Sequence, residues 1–176
     1  MSPRESGVPV VTEIDLPSDS ILHTTLVSAD FHDAYKAPLS NGRLTPTEIF
    51  LLTVHATPPW VNHLMSIRNL VVRQIGLKDV GTIGGAANKP ADTYQIGDRL
   101  GIFTIFGKAE NELVLGINDR HLDVRVSVLK SLGDRPMSYV VSTVVKVHNW
   151  LGHIYMAPVG RIHPLVVKAV MRRTVV

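Results

Sequence analysis

From Arg99 to His148 the apolar residues settle into a period of two and hold it through four successive runs, RLGIFTIFGK, NELVLGIN, HLDVRVSVLK and MSYVVSTVVKVH, jointed at KAEN, NDRH and SLGDRP. Side chains alternate across a strand, so such runs read as strands and the polar Gly-, Pro- and Asn-bearing joints as turns. Parallel neighbours need crossovers of about a dozen residues or more, and no joint is that long, so the four strands predict an antiparallel meander. In the third run Leu122, Val124, Val126 and Val128 point one way and His121, Asp123, Arg125 and Ser127 the other. That alternation predicts a sheet with one wet face and one apolar face, and the apolar face has to be covered by a second layer.

Helical patterns supply the cover. TPTEIFLLTVHA has Thr45 at an N-cap position, Pro46 at the first helical position and Glu48 three residues after the cap, the capping-box spacing. Pro58 and Pro59 break that helix, and Pro59 opens a second, WVNHLMSIRNLVVRQIG, ending at Gly76. At the other end of the chain RIHPLVVKAVMRR places Ile162, Leu165, Val166, Ala169 and Val170 on one stripe. Proline is tolerated in the first helical turn, so Pro164 predicts a helix of about a dozen residues starting near Arg161 to His163. HNWLGHIYMAPVG then reads as the connection from the last strand. A short helix is expected after Ser18, capped by it, and a strand in ADFHDAYKA with Phe31, Asp33 and Tyr35 on one face. The stretch GLKDVGTIGGAANKPADTYQIGD, with glycines at 76, 81, 84, 85 and 97, has neither the G-x-G-x-x-G order nor a Gly-Lys-Ser/Thr ending. It predicts a loop with a strand near Asp92 to Ile96.

Length and composition exclude several classes. A chain of 176 residues is expected to form one domain, 1–176, with 1–27 an irregular leader, and such a domain buries roughly 70% of its unfolded surface. There is no cysteine, hence no disulfide framework, thiolate metal site or thiol nucleophile, and a cytoplasmic location is the simplest expectation. MSPRESGVPVVTEIDLP lacks the apolar core of a signal peptide, and no run approaches the ~20 apolar residues of a membrane span. The net charge of +3 arises from 18 Lys+Arg against 15 Asp+Glu, scattered except in MRRT, which makes no stripe for nucleic acid.

The segments LMSIRNLVVRQIGL, ELVLGINDRHLDVRVSV and HNWLGHIYMAPVGRIHPLVVKAVMRR resemble a bacterial family of unknown function related to the START-like, or helix-grip, superfamily that includes the birch-pollen-allergen-like proteins. The resemblance covers Ala29 to Arg173. It implies an α+β helix-grip fold: a curved antiparallel sheet packed on the C-terminal helix, with two shorter helices closing one end around an apolar cavity. A final helix of a dozen residues is short for that role. It leaves the cavity small, open, or completed by a second subunit in a homodimer.

Three function classes follow. The leading one is a binding protein for a small hydrophobic or amphipathic molecule, since 45% of the residues are hydrophobic and are arranged as an apolar sheet face opposed by amphipathic helices. Leu64, Arg68, Asn69, Phe103, Phe106, Tyr139, Tyr155 and Ile162 are the expected lining, with Arg68 able to meet a carboxylate through its fork of donors. The second is a cyclase- or hydratase-type enzyme, requiring an acid–base pair from Asp119, His121, His148 or His163, because a carboxylate beside an imidazole orients its tautomer. The plainer reading of INDRHLD is a solvated turn. The third is an association module using the final helix and basic tail. No cofactor is expected, and no metal, since His148, His153 and His163 are irregularly spaced and H-E-x-x-H is missing. No G-x-S-x-G elbow supports Ser127, Ser138 or Ser142 as a nucleophile.

Overall fold

The meander forms the centre of a seven-stranded antiparallel sheet in a computed structural model of the chain, which describes residues 10–74 and 89–174. The strands are β1 (Thr12–Glu13), β2 (Phe31–Pro38), β3 (Arg99–Leu100), β4 (Phe103–Lys108), β5 (Glu112–Asn118), β6 (Leu122–Ser131) and β7 (Ser138–Val147), in the order β1-β2-β7-β6-β5-β4-β3. Pairing of β2 with β7, Phe31 opposite Val145 and Pro38 opposite Ser138, joins the two ends of the chain through the middle of the sheet. RLGIFTIFGK is two strands: Gly101, at φ 64°, turns the chain so that Leu100 pairs with Phe103. That left-handed conformation is open to glycine at little steric cost.

Helices α1 (Pro46–His55) and α2 (Pro59–Gln74) follow the local signals. Thr45 Oγ1 accepts from the Glu48 N–H at 3.2 Å, and Glu48 Oε2 accepts from the Thr45 N–H at 2.7 Å. Those bonds hold the Glu48 carboxyl below its ordinary value. The expected end at Gly76 and the glycines at 81, 84 and 85 lie outside the described residues. No strand forms at Asp92 to Ile96; Ala91–Thr93 is a 3₁₀ turn.

The C-terminal helix departs most from expectation. α3 runs from Trp150 to Arg173, 24 residues, with Pro158 and Pro164 both inside it. Each internal proline removes a ladder bond and costs about 3 kcal/mol in an isolated helix. Here Tyr155, Met156, Val167 and Met171 pack against the sheet clusters and offset that cost. The helix therefore starts at the end of β7, where Asn149 Oδ1 caps it by accepting from the Gly152 N–H, and it is long enough to cross the sheet as a gripped helix.

The covered face carries one buried cluster in which Tyr35, Leu113, Leu115, Val128 and Tyr139 meet Ile49 and Phe50 of α1 and Met171 of α3. The opposite face is not simply wet. Residues Ile14 to Ala29, including a 3₁₀ helix over Ile21–Ser28 capped by Ser20 rather than Ser18, lie across it. Leu16 and Leu22 pack there on Ala34, Val114, Leu129, Val140 and Val144. From residue 12 on, the leader is thus a cover with its own strand, β1. The near-continuous apolar run of β7, buried at every position except Lys146, is the pattern of a strand covered on both faces.

Gly152 sets how closely α3 approaches the sheet. A Cβ there would lie 2.5 Å from the His121 carbonyl oxygen and 2.7 Å from Val147 Cγ1. Helix propensity alone would make Gly152→Ala stabilising by about 1 kcal/mol. Overpacking against backbone outweighs it, at about 1–3 kcal/mol, so urea unfolding is expected to show a net loss. A stabilised alanine variant would contradict the close docking of α3.

Candidate functional site

The core cluster fills only part of the covered face. Beyond it Phe31, Phe103, Ile117, Leu122, Val124 and Val145 of the sheet face Tyr155, Met156, Val159, Ile162 and Val166 of α3, with Leu64 and Met65 of α2 beside them. They enclose a cleft of about 310 Å³. Its wall is hydrocarbon, ring or thioether apart from Asp119, Thr143, His163 and the hydroxyl of Tyr155. Pockets for small molecules have this make-up, mostly apolar with a few placed polar groups.

The best-defined polar group is His163. Its Nδ1 lies 2.8 Å from Asp33 Oδ2, and its ring stands edge-on to Phe31 at 5.8 Å. The Asp33 side chain is 7% exposed. A carboxylate taken that far out of water needs charge-assisted partners. It has His163 and the Tyr35 hydroxyl, which donates to the same oxygen at 3.2 Å. Burial and the neighbouring Asp33 carboxylate push the Tyr35 phenol well above its ordinary value, so it stays a donor. Asp33 Oδ1 is buried and has no hydrogen-bond partner among the described residues. Because Nδ1 is engaged, Nε2 is the ring nitrogen His163 has left for other contacts.

The cleft brings together Leu64, Phe103, Tyr155, Ile162, Asp119 and His163 from the expected residues. Tyr139 is not in the wall: it is fully buried in the core cluster, where burial pushes its phenol up to about 12. Phe106 is exposed and carries the Arg125 guanidinium over its ring at 3.9 Å. Asn69 is half-buried and does not line the cleft, and the Arg68 side chain lies outside the described residues. Both ring nitrogens of His121 are engaged, Nδ1 by Asn149 Oδ1 at 3.0 Å and Nε2 by the Arg120 Nε–H at 2.8 Å, which ties the β5–β6 turn to the start of α3. His148 pairs with Asp123 at 3.1 Å, away from the cleft wall. Ser127, Ser138 and Ser142 are buried in the sheet.

Asp33 is not among the site residues expected from the sequence, although its row is legible there. FHDAYKA puts a carboxylate between Phe31 and Tyr35 on the apolar face, and a charge in that position demands a partner. The identity of the partner was not legible, since His163 is 130 residues away.

Among the described residues no group of three or more His, Asp or Glu side chains converges as a metal site, and no helix is long and apolar enough to cross a membrane. A family model described as a protein of unknown function, DUF2867, matches residues 25–170. No curated protein and no solved structure matches the chain.

Proposed function

The chain belongs to the DUF2867 family of proteins of unknown function, and from that starting point we propose that it binds a small apolar or amphipathic molecule in the cleft between the sheet and α3. The observation carrying this reading is the contrast within one face: one part is packed by α1 and Met171, while the adjoining part keeps an apolar cleft of about 310 Å³. Contiguous apolar surface left uncovered in a folded protein marks a place where something binds. The helix-grip architecture and the sequence resemblance support a START-like relationship, which is part of the same proposal. A second reading, an acid–base enzyme of the cyclase or hydratase type, is favoured by the Asp33-oriented imidazole of His163 in the cleft wall.

Titration with an environment-sensitive apolar dye tests the binding reading. The wild-type protein is expected to bind the dye at one site, and Ile162→Trp, which fills the lip of the cleft, to weaken it at least about tenfold, roughly 1.4 kcal/mol, without loss of folding. Equal binding by the two proteins, or none by the wild type, would remove this function.

A further inference from the structure

We propose that the outer face shared by α2 and α3 docks on an anionic lipid bilayer, with the lip of the cleft turned toward the membrane. The docking goes beyond the reading of the cleft as a small-molecule site. It rests on that reading only in naming the bilayer as the source of the apolar molecule.

Both tryptophans of the chain stand on this face. Trp60 lies in the first turn of α2 and Trp150 opens α3, and they are 46% and 72% exposed. Trp60, Leu64 and Ile67 fall at i, i+4 and i+7, which is one side of α2. On α3, Trp150, Ile154, Arg161, Leu165 and Arg172 follow one another at spacings of four and seven, and all are exposed. Pro158 and Ile162, exposed beside that stripe, also line the cleft, as Leu64 does on α2. The apolar wall therefore continues out of the cleft onto both helices. Large exposed apolar patches on a folded chain mark interaction surfaces.

Charge selects the partner. The sequence of α2 contains Arg68 and Arg73 and that of α3 Arg161, Lys168, Arg172 and Arg173, whereas all 15 Asp+Glu of the chain lie outside the two helices. Two carboxylates that the fold brings against α3 are already matched there: Asp33 is buried on His163, and Glu13 pairs with Lys168. Arg161 and Arg172 are exposed within the apolar stripe. Tryptophan at headgroup level, aliphatic side chains below it and arginines among them are the make-up of a helix lying in a membrane interface. A second copy docking through the same face about a twofold axis would set these cations against themselves. An anionic surface receives them.

The two tryptophans report docking without a label. With vesicles of phosphatidylglycerol and phosphatidylcholine in equal parts, the emission of the full chain is expected to shift to shorter wavelength and to be quenched when the acyl chains are brominated. Phosphatidylcholine alone is expected to bind at least about tenfold more weakly, and so is the anionic mixture at about 1 M salt, where the screening length falls to about 3 Å. Leu165→Glu, at an exposed position outside the cleft wall, is expected to weaken binding to the anionic vesicles at least about tenfold, while dye binding and the unfolding midpoint stay as in the wild type. Arg161→Gln is expected to lose about fivefold on the anionic vesicles, one cation's share. No emission shift and no co-sedimentation with the anionic vesicles, or equal binding by Leu165→Glu, overturns the docking and leaves the cleft reading to the dye titration. Tryptophans shielded from acrylamide without vesicles, in a chain that sediments as a dimer, overturn it in favour of a second copy. Vesicle binding without dye binding upholds the docking and removes the cleft as the place where the apolar molecule is held.

Discussion

Glu112→Ala is expected to lose about 3–5 kcal/mol of folding stability, because it strands buried donors that cost about 1–3 kcal/mol each when unpaired. Glu112 is 2% exposed on the face of the sheet opposite α3. Its Oε1 accepts from the Ser20 hydroxyl at 2.6 Å and from the Ser127 hydroxyl, and its Oε2 accepts from the Ile21 N–H at 2.8 Å. Two of those donors belong to the leader segment, and Ser127 is fully buried on β6. The carboxylate thus fastens Ile21–Ser28 across the sheet, where Leu22 and Leu26 complete the second apolar cluster. Urea unfolding measures the loss. Amide exchange gives its location: residues 21–28 are expected to exchange faster relative to β6 and β7. A loss below about 1 kcal/mol would mean that apolar packing alone holds the segment, because a single ordinary hydrogen bond contributes about that much.

Met171→Ala is expected to cost about 2–5 kcal/mol, the range for truncating a fully buried long side chain whose site cannot collapse. Met171 has no exposure, and it sits in the cluster with Tyr35, Ile49 and Tyr139 near the end of α3. The cleft lies further back along the same helix, at Tyr155 to Val166. Dye binding well below the unfolding temperature is therefore expected to stay within about threefold of wild type, under about 0.7 kcal/mol, while the midpoint of unfolding falls. If binding and stability were lost together, the last turn of α3 and the cleft would be one cooperative unit.

The two substitutions also mark where the chain was readable. The stripe expected for the last helix included Leu165, which is 64% exposed, and omitted Met171. Pro164 as a first-turn residue predicts a start near Arg161 to His163, whereas the helix begins at Trp150. The prediction of one wet sheet face failed for a related reason. Alternation in HLDVRVSVLK places Ser127 and Arg125 on the polar row, but the leader crosses that row and buries Ser127 completely. Polar residues opposite a core stripe do not reveal whether another segment will lie over them.

The candidate site divides along the same line. Leu64, Phe103, Tyr155 and Ile162 were marked by size and apolarity on elements expected to face each other, and they meet at the cleft. Tyr139 had the same marks and went into the core, because register opposite Ala37 and Lys130 places it in the part of the face that α1 and Met171 fill. His121 and His163 were equally plausible as acid–base groups in sequence. One became a rivet between a hairpin and a helix, and the other part of the cleft wall.

What the sequence determined by itself is whatever depends on neighbours within a turn or a pleat: the antiparallel meander, the Thr45–Glu48 capping box, the Pro58–Pro59 corner and the α+β class. Alternation, capping and proline geometry act over a few residues, so their free energies are already legible in the order of side chains. Tertiary structure decided the run of α3 through two prolines, the buried tether from Glu112 to Ser20 and the pairing of Asp33 with His163. In each case a local cost, a lost ladder bond or a desolvated carboxylate, is offset by partners 92 to 130 residues away or by packing against distant strands. Only the folded chain brings such partners within reach.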